Sequence, residues 1–284
     1  MKIGTCIRGT NLLEDLKNAV SMGFDTAELY FNDTLAGVDF KELSRKMQEL
    51  IGDSGLEISG IGLYCNPLVH EKAREELLYC IQNAHLLGTD FIGTFAGAVS
   101  SRSVEDSMPY FQKYFSELVK AAEFHNVKIG IENAHMYGHW YRTTCNIGFC
   151  PRAWEMMFDT VPSDYLGLEW EPSHQVEQLI DPIRQLEVWM PKIFHIHGKD
   201  AKVDYEAVHK YGIWFGAHYC THRFPGMGDT DWKQILDLLV SNGYQRDITI
   251  EGYHDPVYCG NRELEGQKIS LEYLREIVNA IENQ

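Results

Sequence analysis

Residues 192–200 read KIFHIHGKD, an apolar run that carries His195 and His197 two apart and closes on Gly198, Lys199 and Asp200. Side chains two apart in a strand point to the same side, so the two histidines share a face and Ile196 takes the other. Seven further runs are built the same way, β-rich and closing on small or polar residues. They are KIGTCIR from Lys2, TAELYF from Thr26, EISGIGLY from Glu57, DFIGTFAG from Asp90, KIGIENA from Lys128, YLGLEWE from Tyr165 and DITIEGY from Asp247. Between them lie stretches of helical spacing, among them Leu12 to Met22, Glu71 to Leu87, Met108 to His125 and Asp231 to Asn242. Gly23, Gly88 and Gly243 follow three of these where a left-handed cap residue belongs.

Eight βα units in 284 residues predict an α/β fold with a single (β/α)8 TIM barrel over residues 1–284. An open doubly wound sheet is the rival, but its first turn requires GxGxxG and the sequence there is CIRGTN. Two connections exceed ordinary length, residues 135–150 after the fifth strand and 201–230 after the seventh. Both leave the C-terminal end of a strand, the end at which barrel active sites are built.

Hydrophobic residues make up 44% of the chain and aromatics 12%, enough for one large core. The formal net charge of -16 repels a phosphate backbone, and no basic cluster offsets it. Nucleic acid is therefore excluded as a partner, and the missing phosphate clamp points to an unphosphorylated substrate. Seven cysteines without paired spacing read as reduced thiols of a cytoplasmic protein. The N-terminal residues lack the pattern of a signal peptide, and no run of about 18 apolar residues occurs, so no membrane role is expected.

Parity then sorts the strand ends. Glu169 and Glu171 share a side in LEWEPSH, as His195 and His197 do in HIHGKD. With that side turned to the barrel interior, Glu171 and His197 lie near the mouth, and Glu169 and His195 one layer deeper as a buried pair that supports them. Glu132 in GIENAH and Glu251 in ITIEGYHD end two further strands. Glu132, Glu171, His197 and Glu251 thus converge as three carboxylates and one imidazole, a donor set for one divalent metal ion. It suits Mn²⁺ first, with Mg²⁺, Co²⁺ or Zn²⁺ as alternatives. Without a cation the three carboxylates repel and one must take up a proton. The plain alternative is that each carboxylate separately caps a loop or pairs with an arginine. Glu28 at the second strand is a lesser pocket candidate.

At these residues the sequence resembles the xylose-isomerase-like TIM barrels, which include sugar isomerases, ketose 3-epimerases, inosose dehydratases and AP endonucleases. The resemblance rests on GIENA, EPSH, HIHGKD, RFPGMGDTDW and IEGYHDP, in that order along nearly the whole chain. It implies Glu132, Glu171, His197 and Glu251 as metal ligands, with His174 and Arg223 on substrate hydroxyls. The family's sixth-strand motif reads Asp-x-x-His, and here Glu171 stands at the Asp position, one methylene longer. In PGMGDTDW, Gly226 and Gly228 supply permissive backbone, and Asp229 or Thr230 is expected to cap the next helix. AP endonucleases need extra histidines at the third and fourth strand ends, where this sequence has GLYCNPL and GTFAGA.

The resemblance further implies a divalent-metal-dependent sugar isomerase or epimerase. Glu132 and Glu251 are its catalytic pair, one removing the proton alpha to a carbonyl and the other returning one to the enediolate. Expulsion of a group from the next carbon instead makes a lyase or dehydratase, as in inosose dehydration or 3-oxo-glycoside cleavage. His174, His254 or Tyr64 then supplies the leaving-group proton. A catalytically silent partner subunit is the remaining alternative. The aromatic residues Tyr205, Tyr211, Trp214, Phe215, Tyr219 and Phe224 line either a pocket for a ring-bearing aglycone or a homo-oligomer contact.

Overall fold

The computed structural model describes residues 1–283. The strands are β1 (Ile3–Arg8), β2 (Thr26–Asn32), β3 (Glu57–Tyr64), β4 (Phe91–Thr94), β5 (Lys128–Glu132), β6 (Leu166–Trp170), β7 (Ile193–Gly198), β8 (Asp200–Val203), β9 (Cys220–Arg223) and β10 (Ile248–Ile250). The α-helices are α1 (Leu12–Met22), α2 (Phe40–Ile51), α3 (Glu71–Asn83), α4 (Val104–His125), α5 (Pro151–Thr160), α6 (Pro172–Glu177), α7 (Pro182–Trp189), α8 (Tyr205–Tyr211), α9 (Trp232–Ser241) and α10 (Glu263–Glu282). Strands β1 to β7 and β10 close into a parallel barrel, in which β10 lies between β7 and β1. Strands β8 and β9 pair only with each other, antiparallel.

Helix ends follow local chemistry. Gly23 and Gly88 take φ of 78° and 76°, the left-handed conformation that lets their N–H groups reach back to the last carbonyls. Helix α4 begins four residues before the Met108 start read from its spacing, because Ser103 and Asp106 form a capping box there. The residue capping α9 is Asp231, not Asp229 or Thr230: its side chain accepts from the Gln234 N–H. Asp229 instead accepts from Lys202 and the Val203 N–H, and Thr230 N–H donates to Asp200. Asp200 organises the whole PGMGDTDW turn by accepting from the N–H groups of Ala201, Gly226, Gly228 and Thr230.

Strand parity decides what each layer holds. Leu29 on β2, Ile61 on β3, Ile131 on β5, Leu168 and Trp170 on β6, and Ile250 on β10 pack outward into the core against the helices, with Leu16, Phe111, Trp154 and Trp232. The alternate positions turn inward and are polar or missing: Glu28, Glu169, His195 and Thr249 are fully buried. Barrel interiors ordinarily fill with branched apolar side chains. Here Gly60 and Gly130 leave room for the Phe91 ring, Gly62 for Glu28 and Tyr64, and Gly93 for Glu169. A methyl group at any of the four would strike those atoms.

The connection after β7 differs from the plain loop read from sequence. It holds the β8–β9 hairpin and α8, because Asp200 anchors its base and Asp204 caps the short helix. Phe224 at its end is fully buried, whereas Trp214 near its tip is 83% exposed.

Candidate active site

Each strand end is fixed by neighbouring backbone. Asn133, the residue after β5, accepts from the Glu171 N–H at 2.7 Å and donates to the Glu171 carbonyl at 2.8 Å, tying the ends of β5 and β6 together. Asn146 in the 135–150 loop donates to the carbonyls of Glu132 and Ala134 at 2.9 and 2.8 Å. Pro172 starts α6 directly after Glu171, where a missing N–H costs no hydrogen bond.

These constraints bring Glu132, Glu171, His197 and Glu251 together, with one donor atom of each within 4.8 Å of the others. His197 Nδ1 lies 3.0 Å from Glu132 Oε1, 3.5 Å from Glu251 Oε2 and 3.6 Å from Glu171 Oε2. Burial, with Glu171 and Glu132 close by, raises the Glu251 carboxyl to about 8 against the opposing pull of Lys199. Burial also raises Glu132 above the ordinary carboxylate range. Glu171 is as deeply buried, yet the charges of His174 and Lys199 hold it well below that range.

One layer down, Glu169 Oε1 pairs with His195 Nδ1 at 2.9 Å. Tyr64, fully buried, places its hydroxyl 2.7 Å from Glu28 and 2.8 Å from Glu169, below the mouth rather than facing it. His197 Nε2 lies 2.7 Å from Glu28 Oε2. Glu28, Glu169, His195 and His197 thus form a second buried set that shares His197 with the first.

The two sets differ in how they are satisfied. In the deep set the hydroxyl of Tyr64 and the nitrogens of His195 and His197 lie within hydrogen-bond distance of Glu28 and Glu169. In the mouth set Glu171 Oε2 and Glu251 Oε2 are buried without a hydrogen-bond partner among the described residues. Orphaned carboxylate oxygens facing an imidazole nitrogen fit a divalent cation, so the mouth set is the one whose donors suit a metal.

The other residues singled out by sequence stand around this set. His174 Nε2 is 3.3 Å from Glu171 Oε1. Arg223 lies to the side, its Nε donating to Asp255 at 2.8 Å. His254 is exposed at the rim with φ of 74°, and its ring is 6.4 Å from that of His222.

The chain matches the family model for the xylose isomerase-like TIM barrel over residues 16–277. It belongs to the xylose isomerase-like TIM barrel family. Like this chain, the structure of a xylose isomerase domain protein from Planctomyces limnophilus is a barrel of this family's fold: the TM-score is 0.76 at 18% identity, covering 100% of this chain and 98% of that one. The fold is also similar to that of the IOLI protein, crystallised with a zinc atom, with a TM-score of 0.72 at 18% identity over 99% of each chain. In sequence, the chain is 28% identical over 131 residues to an inosose dehydratase of Lactiplantibacillus plantarum, covering 45% of this chain and 42% of that protein. The matched stretch spans less than two thirds of that relative's length.

Four mouth groups of this family member escaped the sequence reading: Lys199, His135, His222 and Glu177. Lys199 sits 3% exposed with its ammonium 3.1 Å from Glu251 Oε1, and its spacing of two from His197 is the signal that could have found it. His135 and His222 both reach Glu177 Oε2, at 2.8 and 3.3 Å, and His174 Nδ1 lies 3.6 Å from the same oxygen. Burial opposes the charge on Glu177, but hydrogen bonds from these three imidazoles hold it far below the ordinary carboxylate range. Only its spacing of three from His174 marked it in the sequence.

Proposed function

We propose that this chain is a divalent-metal-dependent enzyme that enolises a small, unphosphorylated carbohydrate, acting as an isomerase or epimerase. The observation that carries this reading is the pair Glu132 and Glu251, buried carboxyls at the ends of β5 and β10, the strands that flank β6 and β7; burial raises both above the ordinary carboxylate value, Glu251 to about 8. A group that takes and returns a proton near neutral pH needs such a shift.

Glu132, Glu171, His197 and Glu251 would hold the metal, with Mn²⁺ first by the oxygen-rich donor set. When bound, the cation acts as a Lewis acid on the carbonyl and its adjacent hydroxyl. One of Glu132 and Glu251 removes the proton alpha to the carbonyl, and the other delivers a proton to the enediolate from the far side. Lys199 keeps Glu171 and Glu251 from repelling each other. His174, Arg223 and His254 meet the substrate's hydroxyls, and burial of the set excludes water that would quench the enediolate.

A second reading, dehydration, is favoured by the inosose dehydratase likeness and by the place of His174 beside Glu171. Its imidazole then gives a proton to a hydroxyl leaving from the carbon next to the enediolate. Incubation of Mn²⁺-loaded protein with ketoses, inososes and 3-oxo-glycosides in heavy water, followed by NMR, separates the two. Deuterium alpha to the carbonyl in an intact skeleton supports the isomerase or epimerase, and loss of water or aglycone supports the lyase. No exchange by a protein that holds its metal overturns both.

A further inference from the structure

His197 lies between two acidic sets and meets them through opposite nitrogens. Nδ1 faces Glu132, Glu171 and Glu251, and Nε2 faces Glu28 at 2.7 Å. An imidazole can give only one nitrogen to a metal, and the other is then free to carry a proton. Two further groups lie near Nε2, Glu169 Oε1 and the Tyr64 hydroxyl, both at 3.2 Å. Glu28 is the nearest, and its carboxylate is itself held: Oε1 accepts from the Tyr64 hydroxyl, and Cys6 Sγ approaches Oε2 at 3.8 Å.

The place of Glu28 is built into the fold. It comes from β2 and meets His197 on β7, 169 residues later, so its side chain crosses the barrel interior. Gly62 on β3 makes that crossing possible, because a Cβ there would strike Glu28 Oε1 and the Tyr64 hydroxyl. Both Glu28 and His197 are wholly buried, so bulk solvent does not reach Nε2.

We propose that Glu28 is a positioning residue for the cation site: it accepts the Nε2–H of His197, fixes that tautomer and ring orientation, and so presents the Nδ1 lone pair to the metal. This rests on the reading of Glu132, Glu171, His197 and Glu251 as the metal's ligands. A carboxylate behind a metal-bound histidine also makes the ring more basic, and its loss weakens metal binding about 10- to 100-fold. The proposal moves the partner of His197 from His195, on the same strand, to a residue on β2, beyond the intervening β10 and β1. His195 is committed elsewhere, with Nδ1 on Glu169 and Nε2 at 3.0 Å from the Thr249 hydroxyl.

The test is titration of Mn²⁺ into wild-type protein and into the Glu28→Ala and Glu28→Gln variants. Free Mn²⁺ is read by electron paramagnetic resonance and folding by circular dichroism. The expected result is a Kd raised about 10- to 100-fold in Glu28→Ala, with part of the loss recovered in Glu28→Gln, whose amide oxygen still accepts from Nε2–H. If Glu28→Ala does not fold, Glu28→Gln alone still has to bind Mn²⁺ more weakly than wild type. Nitrogen-15 NMR of Zn²⁺-loaded protein should show His197 protonated at Nε2 in wild type, with that proton unprotected in the folded variant. A merely structural Glu28 would leave this signal in place. Folded variants that bind Mn²⁺ as wild type does, or a His197 protonated at Nδ1, overturn the proposal. Wild-type protein that binds no Mn²⁺ removes the metal reading itself and the proposal with it, an outcome distinct from equal binding by all three proteins.

Discussion

The Lys199 ammonium lies 3.1 Å from Glu251 Oε1, and both side chains are 3% exposed. Three carboxylates share the barrel mouth, and Lys199 is a cation already placed among them, 3.7 Å from Glu171. Burial opposes its charge, yet Glu171 and Glu251 hold its pKa above the ordinary lysine value. Replacing Lys199 by Met leaves buried carboxylates uncompensated, at a cost of about 3–5 kcal/mol. Thermal unfolding of the metal-free variant should show a lowered Tm, and added Mn²⁺ should raise Tm more in the variant than in wild type. Equal responses in both would remove Lys199 from the charge balance of the site.

Metal binding should release protons. The Glu251 carboxyl titrates at about 8 in the metal-free protein, so at pH 7 it is mostly protonated and a cation must displace that proton. His197 is also held above its ordinary pKa: burial opposes its charge, but Glu169 and its other anionic neighbours outweigh that. Calorimetric titration of Mn²⁺ at pH 7 in buffers of differing ionisation enthalpy should therefore report release of about one proton or more. The contribution from Glu251 should fade as the pH passes above 8. Binding without proton release at pH 7 would contradict the proposed donor set.

Glu177 sets an acid limit on stability. Its folded pKa is depressed, so its contribution is complete above the unfolded carboxylate value, about 4.3, and is lost as pH falls below that toward the folded value. Urea unfolding from pH 7 to pH 3 should show a smaller loss of stability on acidification in Glu177→Gln than in wild type. At pH 7 the variant should be less stable by about 1–3 kcal/mol, because imidazole donors at the mouth lose their charged acceptor. A variant with the wild-type acid profile would show that the three histidines do not depend on Glu177.

Glu132→Gln and Glu251→Gln should each lower turnover by about 10²- to 10⁴-fold, the range for loss of a general acid or base. In heavy water the two variants should differ. The one that has lost the abstracting carboxylate should incorporate no deuterium, and the other should exchange the alpha proton without completing product. Full exchange and product formation by both variants would exclude this pair from the proton transfers.

Gly62→Ala probes the barrel interior. The added methyl strikes Glu28 Oε1 and the Tyr64 ring and hydroxyl, and both side chains are wholly buried. Overpacking of this kind costs about 1–3 kcal/mol. Chemical denaturation should show that loss, and Gly55→Ala gives the comparison, since a Cβ there meets nothing within 4 Å and strain arises only from its φ of 78°.

Much of this was local and therefore legible. The period of two in a strand places Glu169 with Glu171 and His195 with His197, and the same alternation sends Leu168 and Ile196 to the helix layer. Repetition of that pattern eight times, with glycine stops between, determined the barrel, and the carboxylates at the ends of β5, β6 and β10 marked its mouth. What the tertiary structure decided are the contacts made across the barrel. Glu28 meets His197 because the closed sheet brings β2 within two strands of β7, with β1 and β10 between them, and Gly62 leaves room for the Glu28 side chain. Glu177 gathers His135, His174 and His222 because connections after three different strands fold over one rim. Periodicity fixes the side of a strand on which a residue stands; which residue it meets there depends on closure of the barrel and on the space its neighbours leave.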